Sequence, residues 1–232
     1  GMILGMLSSA FHAVLEVLFP KCCPACGGKL VADEQIICAD CLASIPRTEH
    51  SILEQNGIDL LFQGLIQKEK CTVRYERGAS FAYYNKERGM HFRTMIERGK
   101  FGNHPDPQIF YFLGSLAAQE YIDSDIFDEV DCLVPVPLHP RRLRQRGFNQ
   151  AEYICKGLSD VLHIPIDTEH LVRTRNNPHQ SRSEFAQRKD NVKDLFAIRY
   201  PEEWKNKHIL LVDDVVTSGS TMFECMKQLA SI

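Results

Sequence analysis

The sequence predicts an α/β protein, in which a mostly parallel sheet is flanked by helices and follows a small N-terminal four-cysteine module. Two short apolar runs, residues 131–136 and 208–212, have the length and composition of buried strands. Segments with helical periodicity lie around them, and this alternation is typical of a parallel sheet covered on both faces. The cysteine module is indicated by paired cysteines within residues 22–41.

Length and composition are those of an ordinary globular protein. The 232 residues suffice for one full domain and a small appendage. Hydrophobic residues at 44% and charged residues at 25% exclude a disordered or coiled-coil chain. The net charge of −3, from 27 basic and 30 acidic residues, argues against binding nucleic acid over the whole surface. Any basic surface must therefore be local.

The N-terminal residues 2–19 are predicted to form an amphipathic helix, because apolar residues recur near helical spacing. His12 and Glu16 interrupt this stretch, which falls short of the roughly 20 apolar residues of a membrane helix. It also lacks the basic start and cleavage site of a signal peptide. We expect packing against the protein or a partner, with a membrane surface as the alternative, no membrane span and a cytoplasmic location.

The nine cysteines fall into two groups. Cys132 and Cys155 lie in predicted strands and helices and are expected to be small buried hydrophobic residues. Four others form two Cys-x-x-Cys pairs, each of which aims two thiolates at one tetrahedral ion. The predicted metal ligands are Cys23, Cys26, Cys38 and Cys41.

Zinc is the expected ion, with iron as the alternative, since four thiolates in a reducing compartment suit it. Four protein ligands leave no open position for catalysis, so the ion is expected to be structural. Gly27 and Gly28 allow the backbone to fold back after the first pair, and residues 31–37 are predicted to form a hairpin between the pairs. Cys22 competes with Cys23 for one ligand position.

The predicted organisation has three parts. Residues 2–45 hold the N-terminal helix and the metal module, residues 46–78 a linker with one helix, and residues 79–232 the main domain. The main domain is predicted to begin with a strand over residues 80–84. Helices are predicted over residues 86–98, 107–121, 149–162 and 220–230.

Basic residues are concentrated in two predicted loops. Residues 171–193 hold six bases against two acids, and residues 139–150 hold four arginines and no acid. These four are Arg141, Arg142, Arg144 and Arg146. Charges in loops are less easily explained as the solvated face of a helix. The two segments therefore indicate a local anion site.

The most informative motif follows the second buried strand. Residues 209–212 deliver Asp213 and Asp214 at the carboxyl end of the strand, where open α/β sheets bind ligands. A loop suited to a phosphate then leads into a helix, because its hydroxyls and backbone N–H groups lie at the positive end of the helix dipole. The loop consists of Thr217, Ser218, Gly219, Ser220 and Thr221. Paired carboxylates suit ribose hydroxyls or Mg²⁺, so the motif indicates a sugar phosphate.

Residues 209–221 resemble the phosphoribosyl pyrophosphate (PRPP) signature of type I phosphoribosyltransferases. Other motifs precede it in the order of the ComF family: Val134-Pro135-Val136-Pro137, then Arg146-Gly147-Phe148-Asn149-Gln150, then Gln180, Arg188, Asn191 and Phe196. ComF proteins, which are associated with competence and DNA uptake, also carry an N-terminal four-cysteine zinc finger. The resemblance extends over residues 19–230 and implies a type I phosphoribosyltransferase-like fold.

The resemblance also implies roles for the matching residues. Asp213 and Asp214 match the carboxylates that bind ribose hydroxyls, and residues 217–221 match the 5′-phosphate loop. The turn at Val136 and Pro137 matches the pyrophosphate loop. The four arginines of residues 141–146 match a mobile loop that closes over the pyrophosphate. The implied catalytic residues are Asp213, Asp214, Arg142 and Arg146, since arginines and Mg²⁺ stabilise the charge that develops as pyrophosphate leaves.

Two functions from different classes follow. The first is a ComF-like protein of DNA uptake or DNA processing that binds PRPP or a related phosphorylated ligand, with single-stranded DNA or DNA-uptake proteins as further partners. The alternative is an active phosphoribosyltransferase of nucleotide metabolism. A zinc-finger adaptor without a ligand is disfavoured, because nothing structural requires Asp213, Asp214 and the hydroxyl loop together. Thr217 stands where the hypoxanthine-guanine class has an acid, which disfavours that substrate class. Enzymatic activity, direct DNA contact and oligomeric state are left open by the sequence.

Overall fold

The computed structural model describes residues 15, 17–101, 103–174 and 195–232. The helices in these ranges are α1 (Ala39–Ala43), α2 (Gly57–Glu69), α3 (Lys86–Phe101), α4 (Pro107–Tyr121), α5 (Pro140–Arg146), α6 (Gln150–Leu162) and α7 (Ser220–Leu229). The strands are β1 (Cys132–Pro135), β2 (Leu171–Arg173), β3 (Phe196–Ile198) and β4 (Ile209–Val212). The fold is mixed α/β, and no helix of the described ranges is long and apolar enough to cross a membrane.

The two predicted buried strands, β1 and β4, pair in parallel, with Cys132 opposite Ile209 and Pro135 opposite Val212. Ile166 adds a single parallel bridge to Leu133 on the other side of β1. Pairing stops there because Pro165 has no N–H to donate. In addition, the Asp167 carboxylate accepts from the N–H groups of residues 169 and 170, which turns the backbone away from β1. Within the described ranges the parallel sheet therefore has two strands, fewer than predicted, and β2 and β3 form a separate antiparallel pair.

Both faces of the parallel sheet are covered, as predicted. Leu133 packs in one cluster with α6, where Cys155 is fully buried. Val134 packs in a second cluster with β2, β3 and Cys225 of α7, and Cys132 lies half-buried against it. The alternation of inward and outward residues along β1 thus serves two cores, as expected for a strand buried on both sides.

Two glycines allow α4 and α6 to pack backbone against backbone. A Cβ atom at Gly114 would lie 2.1 Å from the Ile154 carbonyl oxygen, and one at Gly157 would lie 2.1 Å from the Tyr111 carbonyl oxygen. No larger residue fits at either position without separating the helices. This contact fixes the position of α6, whose N-terminus borders the carboxyl edge of the sheet.

The strand predicted over residues 80–84 is wrong. This segment makes one isolated bridge, between Ala82 and Arg47. The Tyr83 N–H donates to the Pro46 carbonyl at 2.9 Å, and the Thr48 N–H donates to the Phe81 carbonyl at 3.1 Å. Pro46 has no N–H with which to continue the ladder, so the pairing does not extend into a strand.

The hairpin predicted between the cysteine pairs is also wrong. The Glu34 carboxylate instead accepts from the Val31 N–H at 2.9 Å and from the Ala39 N–H at 2.7 Å. These side-chain bonds replace a strand ladder and lead the chain directly into α1. The one bridge of the module, Cys22 with Lys29, closes the first cysteine pair, where Gly27 has the expected positive φ of 81°.

The cysteine module shares one hydrophobic core with α3 and α4. Cys23, Ile37 and Cys41 belong to the same buried cluster as Met95 of α3 and Phe110 of α4. The predicted N-terminal helix over residues 2–19 lies outside the described residues, apart from residues 15 and 17–19.

We predict that Gly157→Ala destabilises the protein by about 1–3 kcal/mol, the usual cost of overpacking a tight contact. The added methyl group would overlap the α4 backbone. Gly64→Ala in α2 is the matched control, because a Cβ atom there meets nothing within 4 Å, and it should be neutral or stabilise by up to about 1 kcal/mol. Unfolding in urea measures both. Equal effects of the two substitutions would contradict the close packing.

Candidate functional site

The turns that follow β1 and β4 lie side by side at the carboxyl edge of the parallel sheet. The Val136 N–H donates to the Val212 carbonyl at 2.9 Å, which continues the strand register and sets Val136 opposite Asp213. The Asn149 side chain donates to the Val136 carbonyl at 3.1 Å and caps α6 through the Ala151 N–H. The structure thus brings together the predicted pyrophosphate turn and the predicted ribose carboxylates, at the edge where open α/β folds bind ligands.

Asp214 is held by three groups inside the protein. Lys100, near the end of α3, forms an ion pair with the Asp214 Oδ2 atom, and Gln150 Nε2 donates to the same oxygen at 3.0 Å. The Val215 N–H donates to Oδ1 at 2.8 Å. Burial raises the pKa of Asp214, but the Lys100 charge and the hydrogen bonds from Lys100 and Gln150 together lower the pKa below its ordinary value. Asp214 is therefore ionised at neutral pH.

Asp213 has fewer internal partners than Asp214. It accepts from the Asp214 N–H at 2.9 Å, and no lysine or arginine of the described ranges forms an ion pair with it. Burial and the neighbouring Asp214 charge raise the pKa of Asp213 to about 7. At neutral pH the two residues together carry one full negative charge and one titrating proton.

The predicted phosphate loop is exposed and leads directly into α7. Thr217, Ser218, Ser220 and Thr221 are exposed, and the Ser218 and Ser220 hydroxyls lie 2.7 Å apart. Gly219, at the N-cap of α7, has no side chain to cap the helix, and the Ser220 N–H makes one long hydrogen bond, of 3.4 Å, to Ser218 Oγ. Exposed hydroxyls and N–H groups at a helix start are suited to an anion.

Gly219 explains the shape of this loop. Its φ of 77° is left-handed, and a Cβ atom there would lie 3.1 Å from Leu61 Cδ2 and 3.2 Å from Phe62 Cε1 of α2. The loop therefore turns sharply over the apolar face of α2 and returns into α7. A side chain at this position would be strained and crowded.

The basic segment predicted as a mobile loop is a helix in the structure. Pro140 begins α5 and Gly147, with a φ of 87°, ends it, a combination that stops a short helix cleanly at both ends. His139 caps the helix through the Arg141 N–H at 3.1 Å. Arg141, Arg142 and Arg144 are exposed on α5, next to the turn at Pro137. The loop interpretation is therefore wrong, while the arginines stay beside the predicted pyrophosphate turn.

Arg146 differs from the other three arginines. Its guanidinium lies 5.1 Å from the Phe101 ring centroid, Nε donates to the Lys100 carbonyl at 3.3 Å, and Nη1 donates to Gln150 Oε1. Burial lowers its pKa, and Asp214 counteracts part of this effect. Arg146 is half-buried and connects α3, α5 and α6.

Sequence reasoning missed Lys100 as part of the site. It lies two residues beyond the predicted end of its helix at residue 98, and nothing in the local pattern distinguishes it from other lysines of the chain. Gln150 belongs to the Arg146-Gly147-Phe148-Asn149-Gln150 motif, which predicts no role for it. Both contacts depend on how α3 and α6 pack, which no sequence periodicity specifies.

The four predicted metal ligands meet at one point. The Sγ atoms of Cys23, Cys26, Cys38 and Cys41 all lie within 4.8 Å of one another, and those of Cys26 and Cys38 are 3.8 Å apart. A tetrahedral zinc ion with bonds of about 2.3 Å separates its sulfur ligands by about 3.8 Å. Cys22 is exposed and bonds to the Pro20 carbonyl outside this cluster, so the geometry favours Cys23 for the fourth position.

Backbone N–H groups surround the sulfur atoms. The Gly28 N–H donates to Cys26 Sγ at 3.3 Å, and the Cys38 N–H donates to Cys23 Sγ at 3.5 Å. Burial raises the pKa of the Cys23 thiol, but N–H donors from Cys38, Cys26 and Ala25 lower it to about 7. This thiol deprotonates readily, and the thiolate is the form that binds a metal ion.

Part of the predicted site lies outside the described residues. Gln180, Arg188 and Asn191, together with most of the second basic segment, lie outside the described residues. Phe196 is buried in β3, where it packs with Val134 and Trp204. Its role in the described part of the chain is to fill the core.

Comparisons with known proteins find relatives among DNA utilization and competence proteins. The chain is 43% identical over 94 residues to DNA utilization protein YhgH of Escherichia coli (strain K12), over 40% of each chain. It is 33% identical over 103 residues to Competence protein F of Haemophilus influenzae, over 44% of this chain and 45% of that protein. It is 32% identical over 90 residues to Competence protein ComFC of Bacillus subtilis, over 39% and 34% respectively.

The matched stretches thus span less than half the length of these curated relatives. No family model matches the chain. No solved structure matches it significantly.

We predict that the difference in stability between Asp213→Asn and the wild type depends on pH. In the unfolded chain Asp213 ionises near its ordinary pKa of about 4, whereas its pKa in the folded protein is about 7. The folded state therefore binds more protons between these values, and the Asp213 contribution to stability falls as pH rises through this interval. The Asn variant does not titrate, so its stability relative to the wild type should increase from pH 4 to pH 7 and then level off.

Urea unfolding at several pH values measures this difference. Asp123→Asn, which removes an exposed carboxylate, is the matched control and should follow the wild type throughout. A constant difference between Asp213→Asn and the wild type would show that Asp213 does not hold a proton in the folded protein.

Proposed function

We propose that this chain, whose assignment to the ComF family the relatives support, binds PRPP or a related phosphorylated sugar at the carboxyl ends of β1 and β4. The observation that carries the proposal is the meeting of Asp213, Asp214 and the hydroxyl loop at the edge of one parallel strand pair. Carboxylates accept ribose hydroxyls, and a helix start with hydroxyls accepts a phosphate. A sugar phosphate supplies both groups in one ligand.

A large open cavity lies beside β4. It has a volume of about 1720 Å³, extends along the free edge of the strand and reaches Asp213, Asp214 and Thr217 at the carboxyl end. Its volume exceeds the roughly 300–1,000 Å³ of ordinary ligand pockets. The cavity leaves the carboxylate turn accessible from the side of this edge, and residues 218–221 do not line it.

The charges favour an additional anionic group on the side of α5. Arg141, Arg142 and Arg144 are exposed there, and the Asp213–Asp214 turn is the acidic part of the site. A ligand with a sugar between two phosphate groups matches this order of charges, because each phosphate then faces N–H groups or guanidinium groups. Mg²⁺, which prefers carboxylate and phosphate oxygens, fits between the Asp213 carboxylate and such a ligand.

The role that we propose is in competence-linked use or processing of DNA. The relatives carry the names DNA utilization protein and competence protein, and single-stranded DNA or DNA-uptake proteins are the partners that this role implies. The alternative is an active phosphoribosyltransferase, which the position of the α5 arginines next to the turn at Pro137 favours, since they would stabilise the departing pyrophosphate. Both functions use the same pocket in a type I phosphoribosyltransferase-like domain.

We further propose that the four-cysteine cluster holds a structural zinc ion. Four sulfur ligands complete a tetrahedral site, and the cluster belongs to the core that contains α3 and α4. Thiolates that stay reduced suit a cytoplasmic protein.

We predict that Arg142→Glu weakens PRPP binding about 10-fold or more, because a reversed charge faces the pyrophosphate group, and each charge-assisted hydrogen bond contributes roughly 1.5–3 kcal/mol. Binding of ribose 5-phosphate should change less than about 2-fold, because this ligand does not reach α5. Titration calorimetry with magnesium present measures both ligands.

Lys205→Glu is the matched control, since it also reverses one positive charge. Lys205 is exposed and precedes β4, at the end of the strand opposite to the site. This variant should leave both affinities unchanged. A wild-type protein that binds neither ligand would refute the proposed function, and equal weakening by both variants would show that only net charge matters.

We predict about one zinc ion per purified chain, with most of it lost in Cys23→Ser. The Cys23 thiol lies within the cluster and is buried, so a hydroxyl there removes one of four ligands. Cys22→Ser is the matched control and should keep the full zinc content. Elemental analysis measures the metal, and retention of zinc by Cys23→Ser with loss by Cys22→Ser would reverse the ligand assignment.

A further inference from the structure

The ring of His170, in the loop that precedes β2, lies between two carboxylates. Its Nδ1 atom is 2.7 Å from Asp167 Oδ2, and its Nε2 atom is 2.8 Å from Glu203 Oε2. Glu203 belongs to the 3₁₀ turn Pro201–Trp204, which precedes β4. A neutral imidazole has one N–H and serves one carboxylate, whereas the protonated ring has an N–H on each nitrogen. The two contacts are therefore ion pairs only when His170 is protonated.

Trp204 covers one face of the His170 ring. The two rings are nearly parallel, at 14°, and their centroids are 5.0 Å apart. Trp204 is 4% exposed, and its Nε1 atom donates to Asp167 Oδ2 at 3.0 Å, the same oxygen that faces His170. The His170 side chain is 13% exposed. A protonated ring here has an aromatic face beside it and a carboxylate at each nitrogen, and both features stabilise a cation.

The other charged groups around His170 are mostly acidic. His170 lines a small cleft together with four carboxylates and one ammonium group. These groups belong to Asp131, Asp167, Glu169, Glu203 and Lys207. On the side of β3, the Arg199 N–H donates to the His170 carbonyl at 2.8 Å, and the Arg199 guanidinium lies over the Tyr200 ring, which meets His170 edge-on. An excess of carboxylates favours the positive form of the imidazole.

Asp167 keeps its negative charge at the pH at which histidine titrates. Burial raises the pKa of Asp167, but hydrogen bonds from the N–H groups of residues 170 and 169 and from Trp204 Nε1 lower it below its ordinary value. The charge that changes in this group of residues near neutral pH is therefore that of His170.

The contacts of His170 lie at the amino end of the parallel strand pair. The Lys207 N–H donates to the Trp204 carbonyl at 3.0 Å, which connects the 3₁₀ turn to the start of β4. The His208 N–H donates to Asp131 Oδ2 at 2.7 Å, and the Asp131 N–H donates to the His208 carbonyl at 2.9 Å. The turn that Glu203 belongs to thus leads directly into the first contacts between β1 and β4.

We propose that His170 is a pH-dependent clamp: when protonated it ties the loop before β2 to the turn before β4, through Asp167 and Glu203, and when it loses its proton to the solvent this tie is released. The protonated ring has partners in the folded chain that it lacks in the unfolded chain. The stability that the clamp contributes is therefore complete at low pH and is lost as pH rises through the range of about 5 to 8 in which histidine titrates. The inference does not rest on the proposed function, because its groups lie at the opposite end of the strands.

The fluorescence of Trp204 tests the clamp, because Trp204 is the only tryptophan of the chain and stacks on His170. A protonated imidazole quenches a stacked indole, so the emission of the wild type should fall as pH is lowered from about 8 to 5. The emission of His170→Gln should stay constant. His91→Gln is the matched control, since His91 is exposed on α3, and it should follow the wild type. Constant emission of the wild type, or an equal titration in His170→Gln, would overturn the proposal.

Glu203→Gln distinguishes a clamp from a histidine that titrates without partners. The midpoint of the fluorescence titration should move to lower pH, by roughly 0.2–0.7 in pH, because one of the two carboxylates becomes neutral and Glu203 is partly exposed. Glu202→Gln is the matched control on the same turn, does not line the cleft and should shift the midpoint much less. Equal midpoints in the wild type and in Glu203→Gln would contradict the tie to the 3₁₀ turn.

Thermal unfolding tests the effect on stability. The melting temperature of the wild type relative to His170→Gln should be about 2–4 °C higher near pH 5.5 than near pH 8, because only the protonated ring forms both ion pairs. Asp213 titrates in both proteins, so its contribution cancels in this comparison. A difference between the two proteins that is constant, or that grows as pH rises, would overturn the clamp.

Discussion

The parallel pairing of β1 and β4 is the constraint on which the rest of the site depends. Parallel strands bring their carboxyl ends to one edge, and the hydrogen bond from Val136 to Val212 continues this alignment past the last strand residue. The turn at Pro137 and the Asp213–Asp214 turn are neighbours for this reason alone. Because both faces of the pair are covered, by α6 on one side and by α7 with β2 and β3 on the other, the turns have a rigid base.

The sequence predicts those parts of the fold that depend on local hydrophobic pattern and residue spacing. The strand at residues 209–212, its two carboxylates and the paired cysteines needed only hydrophobic runs and spacing. The prediction of a strand over residues 80–84 was wrong, because Pro46, far away in sequence, lacks the N–H that would extend the ladder. The arginine segment forms the helix α5, because Pro140 begins the helix and Gly147 ends it. The loop prediction rested on the charge of the segment and did not use these two residues. Lys100 was unpredictable, since its contact arises from the packing of whole helices.

The cysteine cluster and the candidate ligand site are connected through α3. Met95 and Ile96 pack in the core with Cys23 and Cys41, and Arg98 donates to the Pro24 carbonyl at 3.0 Å. Lys100 follows two residues later and reaches Asp214. A metal ion that rigidifies the cysteine module would therefore also stabilise the helix end that anchors the site. This arrangement gives a physical reason for a four-cysteine module and the candidate ligand site to occur in one chain.

The most direct test of the account is a crystal structure of the protein with ribose 5-phosphate. We expect the phosphate at the start of α7, within hydrogen-bond distance of the Ser220 and Thr221 N–H groups, with the sugar hydroxyls at the Asp213–Asp214 turn. A phosphate bound elsewhere, or a ribose bound away from both carboxylates, would contradict the account.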